Sequence, residues 1–133
     1  MRIREVKEDK KRFLPLLLLA DEQENMIDRY LERGTLYVLE EGGVKAECVV
    51  TDEGAGILEI KNIAVAPTEQ GKGYGKTLIA FLARRYAGSH SNHGQLKFGE
   101  KIELPNTQTP KHANLRPGVY PFFEQQSPFH PDE

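Results

Sequence analysis

A glycine-rich turn between an extended apolar segment and an amphipathic segment is the feature that most constrains the fold of this chain. Ile57–Val65 is strand-like, Thr77–Tyr86 has the apolar spacing of a helix, and Gln70–Lys76 between them holds three glycines. Glycine lets the backbone approach a ligand because it carries no Cβ. The unpaired N–H groups and the dipole at a helix start both attract an anion. The junction therefore predicts a strand, a diphosphate-binding loop and a helix.

The spacing of the glycines excludes two common phosphate-binding loops. The P-loop pattern G-x-x-x-x-G-K-[ST] fails because its first glycine would fall on Gln70. The dinucleotide fingerprint G-x-G-x-x-G, begun at Gly71, fails because its third glycine would fall on Lys76. The pattern that fits is Gln-x-x-Gly-x-Gly, at Gln70, Gly73 and Gly75.

With Ile63-Ala64-Val65 and Pro67 ahead of it, this motif resembles the acetyl-CoA signature of the GCN5-related N-acetyltransferase (GNAT) family. The resemblance is good over Thr35–Ala87 and poor after Gly88. It implies an α/β (α+β) fold of the acyl-CoA N-acyltransferase type, in which a mixed central sheet is flanked by helices. It also implies acetyl-CoA as co-substrate, no metal, and transfer of the acetyl group to a primary amine.

The order of the remaining elements agrees with that fold. Apolar alternation, helical spacing and turn residues predict β, α, α, β, β, β, α along the chain. A doubly wound sheet would alternate strand and helix throughout, so that architecture is excluded. The predicted elements are Met1–Val6, Lys11–Leu19, a helix between Asp21 and Gly34, Thr35–Leu39, Val44–Thr51, Ile57–Val65 and Thr77–Tyr86.

Length and composition predict one domain with an unusual C-terminal part. A chain of 133 residues is long enough for a single core. All four histidines and six of the eight prolines follow Gly88, where helical and strand periods are lost. We predict a GNAT domain over residues 1–100 and an atypical proline-rich segment over residues 101–133. Whether that segment packs on the domain or is disordered stays open.

Charge and hydropathy exclude several classes of partner. A net charge of −2 and an isoelectric point near 6.1 provide no basic face for nucleic acid. The longest apolar run, Leu16–Ala20, is too short to cross a bilayer. The single cysteine, Cys48, suits a reducing compartment. We expect a cytoplasmic protein with a small-molecule or peptide amine as acceptor, and a homodimer stays open because dimers are common in the family.

The resemblance assigns the cofactor-binding residues. Backbone N–H groups of the loop would bind the pyrophosphate, and the main chain of Ile63 and Val65 would pair with the pantetheine arm like an added strand. Lys72 and Lys76 would add charge near phosphate, or would simply be solvated. The predicted set is Ile63, Ala64, Val65, Gln70, Gly71, Lys72, Gly73, Tyr74, Gly75 and Lys76.

Acetyl transfer also needs a base and an acid. An alkylamine has a pKa of about 10.4, so it must lose a proton before it attacks. Strand alternation predicts that Glu59 lies on the same face as Ile63 and Val65. The resemblance implies that a glutamate at this offset acts as general base; the alternative is a surface ion pair with a lysine. The resemblance also implies a general acid, which in the family is commonly a tyrosine on a later helix. No such helix is evident in this sequence, and Tyr120 is the candidate because it is the only tyrosine after Tyr86.

Other readings of the chemistry are weaker. Cys48 lies inside an apolar strand, so an acyl-enzyme is disfavoured. His90 and His93 lie in a loop-like segment without an evident third metal ligand. The resemblance therefore implies an N-acetyltransferase that works by direct transfer in a ternary complex. The alternatives are a catalytically weak or inactive CoA-binding module, and a domain that binds the phosphates of another nucleotide.

Overall fold

The structure is a computed structural model that describes residues 1–87, 95–99, 102 and 119–121. One-turn 3-10 helices precede the first and third of the α-helices that it shows. The elements in chain order are β1 (Arg2–Val6), α1 (Leu14–Ala20), α2 (Glu24–Leu31), β2 (Thr35–Glu40), β3 (Val44–Gly54), β4 (Ile57–Val65), α3 (Tyr74–Ala87), β5 (Gln95–Phe98) and β6 (Val119–Pro121).

The described strands form one mixed sheet in the order β1-β2-β3-β4-β5-β6. The first four are antiparallel neighbours, β5 runs parallel to β4, and β6 is antiparallel to β5. A parallel neighbour requires a crossover connection, and α3 provides it. The predicted mixed sheet with flanking helices is confirmed. Most of the predicted proline-rich segment lies outside the described residues, so the boundary at residue 100 stays a prediction.

Each face of the sheet carries its own apolar core. On one face, α3 contributes Leu78 and Leu82, which pack against side chains such as Cys48 and Ile60. On the other face, α1 and α2 cover Val38, Val49 and their neighbours. Alternating side chains of the strands supply both cores. The sheet is therefore covered on both sides, as the order of elements requires.

A β-bulge interrupts β4 in the middle of the sheet. Val49 pairs with Asn62 and Val50 pairs with Ile60, so Lys61 is an extra residue without a partner on β3. Val49 belongs to the core under α1 and α2, whereas Val50 and Ile60 belong to the core under α3. The bulge therefore reverses the alternation, and residues before and after Lys61 that are an even number of positions apart point to opposite faces.

Within the part of the chain that the structure describes, no helix has the length and apolar character needed to cross a membrane.

We predict that Leu82→Ala lowers the free energy of unfolding by about 2–5 kcal/mol, because it leaves a cavity between α3 and the sheet. Leu82 has no exposed surface. Leu19→Ala is the matched control, since Leu19 is half exposed on α1. Urea unfolding followed by circular dichroism measures both. Equal losses in the two variants would contradict the packing described for α3.

Candidate active site

The glycine-rich loop has the backbone that a close-fitting anion site needs. It runs from the end of β4, through the 3-10 turn Pro67–Glu69, into the first turn of α3. Gly71 has a φ of 85° and Gly73 a φ of 90°, a region that strains every residue with a Cβ. A Cβ built at either position meets nothing within 4 Å among the described atoms. These two glycines therefore face open space, and the positive φ angles of the turn are the reason that glycine is needed there.

The helix that follows the loop directs its N-terminus towards this space. The first backbone hydrogen bond of α3 runs from Thr77 N–H to Gly73 O at 3.0 Å. The N–H groups of the preceding first turn consequently lie outside the intrahelical ladder. Together with the helix dipole they form an anion-binding end, and Lys76 lies in this turn.

Polar contacts anchor the loop to the strands. Gln70 Nε2 donates to Val65 O at 3.1 Å, which ties the loop to the end of β4. The Glu69 carboxylate lies 2.9 Å from Lys72 Nζ and 3.5 Å from Lys45 Nζ on β3. The hydrogen bond from Lys72, with the charge of Lys45, lowers the pKa of Glu69. The positive charge of Lys72 is therefore partly balanced by Glu69 within the loop.

Tyr74 fixes the loop to a second hairpin. Its hydroxyl donates to Glu41 Oε1 at 2.9 Å, at the turn between β2 and β3. This bond raises the pKa of Tyr74. Glu41, Lys45 and Glu69 were missed by sequence reasoning, because only the folded sheet brings the β2–β3 turn next to the loop. In the sequence, the one feature that marks these residues is that each is charged and lies near a glycine-rich turn.

Beside the loop, no strand among the described residues pairs with one edge of β4. The parallel pairing of β5 covers Ile57–Ile60 and stops there. Along Lys61–Val65, which includes Ile63 and Ala64, the described residues supply no strand on this side. Such an edge offers main-chain donors and acceptors to an extended ligand. The sheet thus opens at the position where the resemblance implies pantetheine binding.

Gly99 lies at the point where the strands separate. Its N–H donates to Ile60 O at 2.9 Å. A Cβ at this position would lie 3.0 Å from Glu59 Oε2 and 3.1 Å from Ile60 O. Only a residue without a side chain fits there easily. Gly99 was not foreseen as a site residue, and its position directly after the strand-like Leu96–Phe98 was the available signal.

Glu59 lies on a different face from the one predicted. The bulge at Lys61 puts Ile63 and Val65 on the α3 side, whereas Glu59, which pairs with Thr51, lies on the side of α1 and α2. The prediction of a shared face is wrong, because simple alternation fails across a bulge. Glu59 is still next to the opening of the sheet, one residue before Ile60.

The Glu59 carboxylate is partly buried and has two lysine partners. Its side chain is 12% exposed, and Oε2 lies 3.1 Å from Lys61 Nζ. Oε1 lies 3.9 Å from Lys97 Nζ on the neighbouring strand β5. The ion pair that was the alternative reading of Glu59 is therefore present in the structure. The same ion pairs hold the carboxylate on β4 one residue before Ile60, where the pairing with β5 ends.

The other sequence candidates divide into three groups. The backbone of Tyr120 pairs with Leu96 on β5, which places it in the sheet. His90 and His93 lie outside the described residues. The residues that the structure describes contain no cluster of three or more side chains that could bind a metal ion. Cys48 is fully buried, and burial raises the pKa of its thiol well above the ordinary value. A buried, protonated thiol is a poor nucleophile.

Comparison with known proteins identifies the family. Residues 32–115 match the family model described as an acetyltransferase (GNAT) domain. The chain belongs to the GNAT family. Its mixed sheet with flanking helices is that of a GNAT domain.

Individual relatives show how much of the fold is shared. The chain is 43% identical over 65 residues to the uncharacterized N-acetyltransferase YvbK of Bacillus subtilis. The matched stretch covers 48% of this chain and 42% of YvbK. The chain is similar to an IAA acetyltransferase from Bacillus cereus, with a TM-score of 0.64 and 36% identity over 74% of this chain and 66% of that one. It also resembles a B. subtilis acetyltransferase solved in complex with CoA, with a TM-score of 0.65, 31% identity and the same coverage. The chain thus spans less than two thirds of these relatives.

We predict that Cys48 does not react with a thiol reagent in the folded protein, because its sulfur is inaccessible and protonated. Titration with Ellman's reagent should show slow labelling in buffer and one reactive thiol in guanidinium chloride. Fast stoichiometric labelling of the folded protein would revive a nucleophilic role for Cys48.

Proposed function

We propose that this protein is an N-acetyltransferase that moves the acetyl group of acetyl-CoA directly to a primary amine in a ternary complex. The observation that carries the proposal is the edge of β4, next to the Gln-x-x-Gly-x-Gly loop, with which no described strand pairs. The edge and the loop together suit a ligand that has an extended amide-containing arm and a diphosphate. The CoA-bound relative supports the same assignment.

The chain would bind acetyl-CoA through its backbone. N–H groups of Gly71–Lys76 would bind the pyrophosphate at the start of α3, with Lys72 and Lys76 near it. The main chain of Ile63, Ala64 and Val65 would pair with the pantetheine amides. Gln70 and Tyr74 would hold the loop in the binding conformation, through their bonds to Val65 and Glu41. A backbone N–H of the open edge is suited to stabilise the oxyanion that forms on the thioester.

Glu59 is the proposed general base. The amine nitrogen attacks the thioester carbon, the C–S bond breaks, and the proton of the amine passes to Glu59 directly or through water. The thiolate of CoA leaves and takes up a proton, for which Tyr120 is the proposed donor. Lys61 and Lys97 hold the Glu59 carboxylate beside the opening. Because no covalent enzyme intermediate is needed, the buried Cys48 has no part in the reaction.

Gly73→Ala should weaken CoA binding at least about tenfold, which corresponds to about 1.4 kcal/mol. The added Cβ is strained at a φ of 90° and would stand in the open space that receives the diphosphate. Isothermal titration calorimetry with CoA measures the affinity.

Gly54→Ala is the matched control for Gly73→Ala. Gly54, at the β3–β4 hairpin, has a φ of 87° and the same open surroundings. It carries the same backbone strain away from the loop, so its affinity for CoA should equal that of the wild type. Equal losses of affinity in both variants would remove the loop from the binding site.

Glu59→Gln should lower kcat/KM by about 10²–10⁴-fold, the range expected for loss of a general base, and leave the affinity for acetyl-CoA unchanged. The assay measures release of the CoA thiol from acetyl-CoA with a panel of primary amines, and then uses an amine that the wild type accepts. Glu53→Gln, at the exposed end of β3, is the control. An unchanged rate in Glu59→Gln would refute its role, and CoA binding without turnover would indicate an inactive binding module.

A further inference from the structure

Two polar side chains lie buried in the core under α1 and α2. Glu47 on β3 and Asn62 on β4 both have no exposed surface. Glu47 pairs with Val38 and Ala64, and Asn62 pairs with Val49, so both point to the face that these helices cover. Among the described residues, the buried side-chain atoms without a hydrogen-bond partner are Glu47 Oε1, Glu47 Oε2 and Asn62 Oδ1. A buried polar atom without a partner is costly, so these three require an explanation.

The orientation of Asn62 is fixed by its amide nitrogen. Nδ2 donates to Leu17 O on α1 and to the Tyr30 hydroxyl on α2, each at 3.0 Å. The Tyr30 hydroxyl donates in turn to Asp21 Oδ2 at 3.2 Å. Reversing the amide would place Oδ1 against the Leu17 carbonyl, which is also an acceptor. Asn62 Oδ1 therefore points away from this network and still needs a donor.

No cation among the described residues balances a negative charge on Glu47. The described residues place no lysine or arginine within ion-pair distance of it, and an isolated buried carboxylate is strongly destabilised. Burial raises the pKa of Glu47 well above its ordinary value. Because Glu47 pairs with Ala64 and Val49 pairs with Asn62, Glu47 and Asn62 are diagonal neighbours on this face of the sheet.

The other ionisable groups around Glu47 do not change this conclusion. Those that face it from the helical layer are Tyr30 of α2 and Asp21, which follows α1; α1 itself carries none. On the sheet the same face holds Arg4, which pairs with Glu40, and Glu59, which pairs with Lys61 and Lys97. Lys45, two residues before Glu47 on β3, pairs with Glu69. Cys48 lies on the opposite face. None of these supplies a positive charge to Glu47.

We propose that Glu47 is an uncharged positioning residue that donates its carboxyl proton in a hydrogen bond to Asn62 Oδ1. One proton supplies the donor that Asn62 lacks and removes the charge that Glu47 has no means to balance. The bond completes a buried chain, Glu47–Asn62–Tyr30–Asp21, that joins β3 and β4 to α1 and α2. Because Glu59 lies on the same face, the chain seats the helices beside the proposed base; this consequence rests on the proposed function.

The protonation state can be measured directly. The infrared difference spectrum of wild type minus Glu47→Gln at neutral pH should contain the carbonyl band of a protonated carboxylic acid. In wild-type protein with ¹³C-labelled glutamate carboxyls, one resonance should keep the shift of a neutral acid while the exposed glutamates titrate. A carboxylate signal for Glu47 at neutral pH would overturn the proposal, and the second measurement requires no variant.

The proton also predicts a pH dependence of stability. In the unfolded chain glutamate has a pKa of about 4.3. Above that pH, and up to the raised pKa of Glu47, the folded protein holds one proton more than the unfolded chain. The unfolding constant of the wild type should therefore rise by up to about tenfold per pH unit relative to Glu47→Gln, whose amide donates at every pH.

Glu53→Gln is the control for this titration. Glu53 lies at the exposed end of the same strand, and its pKa is lowered by the hydrogen bond from Thr51. Its variant should therefore run parallel to the wild type above pH 5 or so. A wild-type curve that also runs parallel to that of Glu47→Gln would contradict a proton on Glu47.

A kinetic comparison tests the positioning role. Glu47→Leu removes the donor, so it should raise KM for the amine about tenfold or more, leave the affinity for acetyl-CoA unchanged, and be rescued in Glu47→Gln. An unchanged KM in a protein that turns over would refute the positioning role. If no amine supports turnover, the proposed function fails while the spectroscopic result still decides whether Glu47 holds a proton.

Discussion

The short parallel pairing between β4 and β5 determines most of what this domain can do. It joins the two strands over Ile57–Ile60 and ends where the Gly99 N–H donates to the Ile60 carbonyl. Beyond it, among the described residues, β4 keeps its other neighbour but has a free edge on this side. The glycine-rich loop and the N-terminus of α3 follow directly from that edge. The free main chain, the loop and the helix dipole are thus adjacent because one strand pairing stops early.

The bulge at Lys61 distributes the site over both faces of the sheet. It directs Ile63 and Val65 towards α3 and leaves Glu59 and Asn62 under α1 and α2. The loop that follows β4 therefore starts from the α3 side, while the proposed base lies on the side of the first two helices. Such bulges often re-aim side chains near functional sites. The bulge would therefore let a single strand contribute both the proposed edge for the cofactor arm and the proposed base.

The sequence predicted the parts of the site that depend on local chemistry. Glycine spacing identified the loop, and apolar periodicity gave the order of strands and helices, because both are set by neighbouring residues. The face of Glu59 was predicted wrongly, since a bulge is a property of two paired strands that alternation in one strand does not reveal. Lys45, Glu41 and Lys97 are distant in sequence from their partners Glu69, Tyr74 and Glu59, and only the folded sheet brings them together. The full burial of Glu47 could not be predicted, because glutamate is usually exposed at the surface and the neighbours Ala46 and Cys48 do not indicate otherwise.

Calorimetric titration of the purified protein with acetyl-CoA, with ATP as the control ligand, tests the central claim most directly. ATP also carries an adenine and linked phosphates, three in a row, but lacks the pantetheine arm that the free edge of β4 would bind. The account predicts saturable binding of acetyl-CoA and no comparable binding of ATP. Equal affinities would mean that the loop binds phosphate without help from β4. Failure of the folded protein to bind acetyl-CoA would contradict the proposed function.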